Sequence, residues 1–282
     1  MFTEENKNLL LEALSYIKRF NEKIVVIKYG GAAMIDESLK HSFAQDIVLL
    51  QSLGMLPVIV HGGGPEVSKA MERLGQEVSF IDGLRVTSSE NLKVAEMVLS
   101  GTINKEIITH LNTFGGKAVG VSGKDGLLIE ARKKGHAGGV DLGYVGEIES
   151  INPELLLVLL KQCFLPVVSP IGLGKDGVTY NINADTTASR IAVALEAYKI
   201  IFMTDVDGVL EDGKLKGQLS SVEAEKLIKK NVISGGMAPK VSAGVFCVEN
   251  GVASAQIING TDPHSVIAEL FTDKGIGTQI VL

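Results

Sequence analysis

The sequence predicts an α/β fold with two lobes and a mainly parallel central sheet. Two short apolar runs, at 24–31 and 57–64, each end in a cluster of glycines. Continuous apolar runs of this length are typical of strands covered on both faces, as in parallel sheets. Glycines directly after a strand let backbone N–H groups approach a phosphate or carboxylate, and ligands of open α/β sheets bind beyond the strand ends. The two runs therefore predict an anion-binding crevice at that edge.

Composition narrows the class of protein. The chain has 282 residues, of which 45% are hydrophobic, and its net charge is −6. A nucleic-acid-binding protein usually carries a basic surplus or stripe, and this chain has neither. No apolar run approaches the length of a membrane span, and the polar N-terminus is unlike a signal peptide. We therefore expect a cytoplasmic protein with no nucleic-acid partner and no membrane partner.

The cysteines and histidines give no metal signature. Cys163 and Cys247 both lie in apolar patterns, and we expect buried, reduced thiols because intracellular chains rarely carry disulfides. No Cys-x-x-Cys pair or Cys/His cluster is present. Four histidines show no metal-ligand spacing: His41, His110, His136 and His264. The sequence thus predicts no metal site formed by protein side chains.

Periodicity predicts the elements of the first half in chain order. The pattern of 8–20 predicts an amphipathic helix whose apolar face is formed by Leu9, Leu10, Ala13, Leu14 and Ile17. The other predicted helices are 37–53, one opened by Pro65, 89–113 with a break near Gly101, and 153–162. The predicted strands are the two glycine-ended runs, 117–122 and 164–169. Short alternating pieces within 123–151 predict hairpins over the sheet edge, a candidate lid on the substrate.

The second half repeats this alternation, and we place the boundary between the lobes near residue 180. Helices are predicted at 184–197, 221–230, 237–250 and 263–271. Strands are predicted at 200–204, 253–258 and 276–281. The alternation is typical of parallel strands that are joined by crossover helices.

Two lysines lie beside glycine pairs and are candidate cations for phosphoryl transfer. Lys28 follows four apolar residues and leads directly into Gly30-Gly31, which aims it at the crevice. Lys240 follows Gly235-Gly236 in a predicted helix, where a solvated surface lysine is the alternative. Phosphoryl transfer needs backbone donors for the phosphates and cations for the transferring group. Both lysines fit that need.

Several polar residues at predicted element ends allow two interpretations each. Asp185 either caps its helix or holds the two lysines by ion pairing. Asp205 and Asp207 follow a strand, and are either turn formers or part of a nucleotide or magnesium site. Arg85 is either a surface charge or a fork for a substrate carboxylate, and His61 either faces a ligand or packs at its strand end. The chain lacks G-x-x-x-x-G-K-S/T and G-x-G-x-x-G, which excludes a P-loop and gives no support to dinucleotide binding.

Six segments in chain order resemble the amino acid kinase family, and within it the branch that acts on N-acetyl-L-glutamate. They are 28–31 (Lys-Tyr-Gly-Gly), 61–65 (His-Gly-Gly-Gly-Pro), 83–87 (Gly-Leu-Arg-Val-Thr), 181–185 (Asn-Ile-Asn-Ala-Asp), 204–208 (Thr-Asp-Val-Asp-Gly) and 235–240 (Gly-Gly-Met-Ala-Pro-Lys). Each segment alone is weak evidence, whereas six in order are specific. The third and fourth segments favour the acetylglutamate branch, and the likeness runs from about residue 8 to the C-terminus.

The resemblance implies a three-layer αβα sandwich, the amino acid kinase fold. The N-terminal helix at 1–20 would be an oligomerisation arm, 21–180 the lobe that binds the amino acid, and 181–282 the lobe that binds ATP. It implies phosphorylation of the γ-carboxylate of N-acetyl-L-glutamate by ATP with Mg²⁺, in arginine biosynthesis. The catalytic residues would be Lys28, Lys240 and Asp185. The substrate would be bound by Gly63, Gly64, Arg85 and Asn181. The nucleotide would be bound by Gly30, Gly31, Thr204, Asp205, Asp207, Gly208, Val209, Leu210, Gly235, Gly236 and Met237.

The helix at 8–20 resembles the extra N-terminal helix of family members that L-arginine inhibits, and a helix that only packs on its own subunit is the alternative. The resemblance implies a homodimer or a hexamer built as a trimer of dimers, and a PII-type signalling protein as a further partner. The arginine site would be formed by Tyr16, Lys199, Gln256, Glu269 and Gly275. Gln256 stands where such members usually carry a histidine, and it can form hydrogen bonds but cannot become cationic.

Two other functions remain open at this point. One is a sister kinase that acts on acetylaminoadipate or on another carboxylate or carbamate. The other is a protein that senses arginine or binds a partner and has lost catalysis. The presence of Lys28, Asp185 and Lys240 argues against the second.

Overall fold

The computed structural model describes residues 3–272 and 275–282, apart from the side chains at 5–6, 8–13 and 32. The predicted apolar face of the first helix therefore lies partly outside the described residues, at Leu9, Leu10 and Ala13. Of its other two members, Ile17 is half-buried, whereas Leu14 is 57% exposed. Leu14 thus does not pack against its own chain as an apolar face would require.

Helices and strands alternate along the described chain. The strands are Ile24–Tyr29 (β1), Leu56–His61 (β2), Phe80–Ile81 (β3), Leu84–Arg85 (β4), Ala118–Ser122 (β5), Ile129–Lys133 (β6), His136–Ala137 (β7), Val140–Asp141 (β8), Gly146–Ile151 (β9), Leu165–Ser169 (β10), Ile171–Leu173 (β11), Thr179–Asn181 (β12), Lys199–Thr204 (β13), Leu210–Glu211 (β14), Lys214–Leu215 (β15), Gln218–Ser220 (β16), Ser254–Asn259 (β17) and Thr278–Val281 (β18). The α-helices are Glu4–Phe20 (α1), Glu37–Ser52 (α2), Gly64–Arg73 (α3), Ser89–Glu96 (α4), Asn104–Thr113 (α5), Glu154–Lys161 (α6), Ala184–Ala194 (α7), Ser221–Lys229 (α8), Met237–Glu249 (α9) and Ser265–Leu270 (α10).

A large, mainly parallel sheet forms the centre of the molecule, as the sequence predicts. Its eight strands have the order β16-β18-β17-β13-β1-β2-β10-β5. Every neighbouring pair is parallel except β17 with β18. Strands β1, β2, β5 and β10 lie before residue 180, and the other four follow residue 198. The sheet is continuous where β1 meets β13, so both halves contribute to one edge.

Helices cover both faces of this sheet, which confirms the three-layer αβα sandwich. Val26, Val58 and Val60 point to one face and pack with side chains of α6, α7, α8 and α9. Val25 and Ile27 point to the other face and pack with α1, α2, α3, α5 and α10. Both strand runs are almost wholly buried, because each face of a strand contacts a helix layer.

A second, smaller sheet contains the short alternating pieces predicted within 123–151. Strands β6 and β9 pair antiparallel, which agrees with the predicted hairpin, and β11 and β12 extend them into a four-stranded sheet. The sequence analysis missed β11 and β12, each three residues long. A two-stranded hairpin, β3 with β4, was also missed, and it carries Arg85.

Three predicted details were wrong. The helical stretch at 89–113 is not broken at Gly101, because a π-helix at Met97–Ile103 joins α4 to α5. Helix α7 ends at Ala194 rather than at 197, and the backbone turns into the left-handed region at Glu196. Cys163 is exposed rather than buried, since it lies in the left-handed turn that follows α6. Cys247 is buried, which raises the pKa of its thiol to about 12.

No helix among the described residues combines the length and apolar character that crossing a membrane requires.

A buried histidine ends β2. The His61 side chain is fully buried, with its Nδ1 2.8 Å from the carbonyl oxygen of Gly62 and its Nε2 3.2 Å from Nδ2 of Asn104. A neutral ring satisfies both contacts, because Nδ1–H donates to Gly62 and Nε2 accepts from the Asn104 amide. Burial lowers the pKa of His61 to about 4.

This histidine should make stability depend on pH. Its pKa in the unfolded chain is the ordinary 6.5, so the unfolded state gains a proton below that pH while the folded state resists it until pH about 4. The contribution is therefore complete above pH 6.5 and falls by as much as about 3 kcal/mol as the pH approaches 4. Urea unfolding from pH 7 to 4.5 should show a smaller decline for His61→Gln than for the wild type. The exposed His136→Gln is the control and should follow the wild type; a His61→Gln curve parallel to both contradicts the prediction.

Candidate active site

Two lysines and an aspartate meet at the carboxyl edge of the large sheet. Lys28 is the second-last residue of β1, Asp185 lies in the first turn of α7, and Lys240 lies in the first turn of α9. Lys28 Nζ is 3.1 Å from Asp185 Oδ1, and Lys240 Nζ is 3.0 Å from Asp185 Oδ2. The three side chains are only 10%, 8% and 17% exposed for Lys28, Asp185 and Lys240. The structure therefore brings together three residues that the sequence scatters over 213 positions (240 minus 28 is 212, plus one).

The charges of this group do not balance. Burial alone raises the pKa of Asp185, but the ammonium groups of Lys28 and Lys240 more than offset that effect, so its pKa lies below the ordinary value. One carboxylate thus faces two ammonium groups, which leaves a surplus of positive charge in a partly desolvated place. Such a place favours an anion, because screening by water is weak there.

The two glycine clusters lie side by side next to Lys28. Strands β1 and β2 are neighbours, with Tyr29 opposite His61, so the chain leaves both strands at the same level. A Cβ at Gly30 would come within 3.0 Å of Lys28 Nζ. The absence of a side chain there leaves the ammonium group room at the strand end.

Gly63 has no room for a side chain. Its φ is +150°, and a Cβ would overlap Cδ1 of Ile103 and lie 3.0 Å from Cδ2 of Leu99. Both neighbours belong to the π-helix at Met97–Ile103. Only glycine lets the loop pack this closely and start α3, whose first backbone N–H groups are free to bind an anion.

A cleft of about 830 Å³ opens at these loops. All four residues predicted to bind the substrate line it, together with Lys28 and Asp185: they are Gly63, Gly64, Arg85 and Asn181. Gly31 also lines the cleft. Among the described residues, it is the one member of the predicted nucleotide set that does so. The predicted substrate residues therefore share one cavity with the lysine–aspartate group.

Arg85 is a buried cation in this cleft. One of its terminal nitrogens, Nη2, donates to the carbonyl oxygen of Gly64 at 2.7 Å and to Oγ of Ser68 at 2.8 Å. The guanidinium also lies 4.6 Å from the centre of the Phe80 ring. Burial lowers the pKa of Arg85, and within the described parts of the chain no carboxylate lies within 4.0 Å of it. An anionic ligand in the cleft would supply the missing countercharge.

Other contacts in the cleft were not predicted. No sequence pattern indicated Phe80 or Ser68 as partners of Arg85, because the pairing depends on the β3–β4 hairpin. The Asn181 amide lies 3.4 Å from Oγ1 of Thr87, and its backbone N–H donates to the carbonyl oxygen of Tyr144 at 2.9 Å. These contacts hold Asn181 in the wall of the cleft, which Gly63 and Gly64 also line.

The predicted nucleotide residues that follow Gly31 in the chain form two further groups outside the cleft. Thr204 ends β13, and the turn 205–210 follows it, with Asp205, Asp207 and Leu210 exposed and Gly208 and Val209 buried. Gly208 has φ +149°, and a Cβ would come within 2.5 Å of Oγ1 of Thr278. Two partners of this turn were missed: Asn259, which donates to Asp207 at 2.9 Å, and Thr278, whose Oγ1 accepts from the N–H of Val209 at 2.8 Å.

The second group lies at the start of α9. Gly235 and Gly236 are exposed, and the space where their Cβ atoms would stand is open. Met237 is half-buried, and Lys240 follows one turn later. A helix N-terminus with free backbone beside a lysine suits a phosphate chain. The exposed carboxylates of Asp205 and Asp207 are the kind of oxygen ligand that Mg²⁺ prefers, so the residues present fit a magnesium nucleotide.

A separate cavity of about 770 Å³ contains all five residues predicted for arginine, which are Tyr16, Lys199, Gln256, Glu269 and Gly275. It lies between α1 and the strands β13, β17 and β18. Here Lys199 Nζ is 3.7 Å from Oε1 of Glu269. Burial lowers the pKa of Lys199, and the charge of Glu269 opposes that shift.

Comparisons with known proteins agree with the architecture. The model of the amino acid kinase family matches residues 23–259. The curated acetylglutamate kinase of Methanothrix thermoacetophila is 50% identical over an alignment of 284 positions, which covers 98% of each chain. That of Methanocaldococcus jannaschii is also 50% identical, over 98% of this chain and 96% of its own.

Solved structures give the same result at lower identity. The N-acetylglutamate synthase of Neisseria gonorrhoeae, complexed with coenzyme A and N-acetylglutamate, superposes with a TM-score of 0.88 at 28% identity. Its complex with coenzyme A and L-arginine superposes with a TM-score of 0.84 at the same identity. The match covers 98% of this chain but only 63% and 65% of those longer chains. The chain therefore belongs to the amino acid kinase family, and within it to the acetylglutamate kinases.

Proposed function

We propose that the protein transfers the γ-phosphoryl group of ATP to the γ-carboxylate of N-acetyl-L-glutamate, which gives N-acetyl-L-glutamyl 5-phosphate for L-arginine biosynthesis. The observation that carries this proposal is the Lys28–Asp185–Lys240 group beside a cleft that holds a buried arginine. Curated acetylglutamate kinases at 50% identity over nearly the whole chain support the same substrate.

The reaction needs charge compensation rather than a base. The γ-carboxylate is already ionised at neutral pH, so its oxygen attacks the γ-phosphorus directly, and the bond from that phosphorus to the β–γ bridging oxygen breaks to release ADP. Two anions must meet in line for this step. Lys28 and Lys240 lie where negative charge accumulates, and Asp185 positions both of them. Magnesium bound with the nucleotide adds positive charge at the phosphates.

The other cleft residues orient the amino-acid substrate. The Arg85 guanidinium pairs with the α-carboxylate, because it is a buried cation in need of an anion. The backbone at Gly63 and Gly64 and the Asn181 amide supply hydrogen bonds to the remaining polar groups. Holding the carboxylate in line lowers the entropic part of the barrier.

Substrate choice is the direct test of this proposal. ADP release is measured with N-acetyl-L-glutamate, N-acetyl-L-aminoadipate and carbamate in parallel, and hydroxylamine traps the acyl phosphate. We expect turnover with N-acetyl-L-glutamate to be the highest of the three. Higher turnover with either other substrate identifies a sister kinase, and nucleotide binding without any ADP release identifies a protein that has lost catalysis.

Removal of either lysine should affect turnover strongly. Lys28→Ala and Lys240→Ala each remove one cation from the phosphoryl group, and we expect kcat to fall by about 10²-fold or more. Lys229→Ala is the matched control, since Lys229 is exposed and pairs with Glu225 on its own helix. Near-normal kcat in both active-site variants would exclude the assigned roles.

The Gly63 position offers an independent test of the substrate loop. In Gly63→Ala the new methyl group meets Ile103, so the loop must shift away from the π-helix. A displacement of about 1 Å at a positioning element can cost about 10²-fold in rate, and we expect a loss of that order in kcat/KM for N-acetyl-L-glutamate. Gly101→Ala on the same π-helix is the control, because the space at its Cβ is open. Equal kcat/KM for the two variants would contradict the packing argument.

We also propose that L-arginine binds in the 770 Å³ cavity and inhibits the enzyme. Two observations support it: the buried Oε1 of Gln256 lacks a hydrogen-bond partner in the described structure, and the buried carboxylate of Glu269 faces the same cavity. A guanidinium group donates to both kinds of acceptor. A structural neighbour at 28% identity is itself complexed with L-arginine.

Gln256 allows this second proposal to be tested. Gln256→Met keeps the volume and removes the acceptor, so we expect the arginine concentration for half-inhibition to rise by roughly tenfold. Activity without arginine should stay the same, and Gln162→Met, on an exposed glutamine, should behave as the wild type. A wild-type activity that stays flat across millimolar arginine, or identical inhibition curves for all three proteins, would reject the proposal.

A further inference from the structure

Two helices that contribute no residue to the lining of the cleft carry the same pair of residues with the same spacing. On α2, Glu37 lies four residues before His41, and on α5, Glu106 lies four residues before His110. Residues four apart in a helix project from one face. None of these four residues lines the 830 Å³ cleft.

The packing of α2 against α5 brings the two pairs together. One potential ligand atom each from Glu37, His41 and His110 lie within 4.8 Å of one another. His110 Nε2 is 3.8 Å from Oε2 of Glu37 and 4.0 Å from Oε1 of Glu106. The rings of His41 and His110 have their centres 5.3 Å apart at an angle of 66°, so they converge without stacking.

One lysine contacts both carboxylates. Lys40 Nζ lies 2.7 Å from Oε1 of Glu37 and also contacts Oε1 of Glu106. One ammonium group thus serves two carboxylates, with two imidazole rings beside them. The group is short of positive charge, and the long lysine side chain can move its ammonium group into solvent while its stem stays packed.

We propose that this group, at the junction of α2 and α5, is a binding site for a zinc-type divalent metal. His41, His110 and Glu37 are the ligands, and Glu106 or a water molecule completes a tetrahedron. Imidazole nitrogen with carboxylate oxygen is a ligand set of Zn²⁺, with bonds of about 2.0–2.2 Å. Atoms within 4.8 Å of one another reach that geometry by small rotamer changes, since Glu37 and His41 are exposed. Mg²⁺ prefers oxygen ligands alone, so the site discriminates against the metal of the nucleotide.

The test uses the full chain without a histidine tag, stripped of metal with a chelator. Zn²⁺ is titrated against a chromophoric chelator, and Co²⁺ is then added to report the geometry by its visible absorption. We expect one Zn²⁺ per chain at this site, no competition from Mg²⁺, and the intense absorption of tetrahedral Co²⁺. Changes to the residues that hydrogen-bond to zinc ligands cost about 10–100-fold in affinity, so loss of a ligand itself in His41→Ala or His110→Ala should weaken binding by roughly tenfold or more.

Two further variants make the outcome decisive. Lys40→Met removes the competing ammonium group and should tighten Zn²⁺ binding. His136→Ala, on an exposed histidine of β7, should leave the affinity unchanged. Far-UV circular dichroism without metal checks that every variant folds. The proposal is overturned if the His41→Ala/His110→Ala protein binds Zn²⁺ as the wild type does, if His136→Ala weakens binding equally, or if no Zn²⁺ binds at all.

Discussion

The ion pairs of Asp185 are the interaction on which the rest of the site depends. This one carboxylate joins the end of β1 to the first turns of α7 and α9, so it fixes three elements from distant parts of the chain. A buried carboxylate without partners costs several kcal/mol, and so do two unpaired ammonium groups at this separation. Each member therefore requires the other two. Because both lysines pair with Asp185, two ammonium groups are held close together in a buried place where neither would be stable without the carboxylate.

The parallel sheet decides where this chemistry can occur. Strands β1, β2 and β13 are neighbours and run in the same direction, so Lys28, the Gly62–Gly64 loop and Thr204 leave the sheet at one edge. The π-helix gives that edge its precise shape, because Leu99 and Ile103 pack against Gly63 where no side chain fits. π-Helical segments often occur at functional sites. Here the π-helix packs against the Gly62–Gly64 loop and supports it, and it presents no reactive group to the cleft.

Structural features that depend on one segment of the chain were predicted from local patterns in the sequence. The apolar runs with their terminal glycines predicted both central strands, and four of the six segments predicted most members of the cleft. Contacts between segments left no such trace: Phe80 on Arg85, Asn104 on His61 and Thr278 on the turn after β13 depend on how distant elements pack. The break predicted at Gly101 was wrong for a related reason. Glycine weakens a helix by only about 1 kcal/mol, which the packing of α4 and α5 offsets.

The two charged clusters carry net charges of opposite sign, which indicates ligands of opposite charge. At Asp185 two ammonium groups share one carboxylate, and the surplus is positive, as an anionic substrate requires. At Lys40 one ammonium group serves two carboxylates, and the surplus is negative, with two imidazoles beside it. No metal-ligand spacing was visible because His41 and His110 lie on different helices, 69 positions apart (110 minus 41). The sequence does contain the Glu-x-x-x-His pair twice. The two pairs form a candidate metal site only because α2 packs against α5.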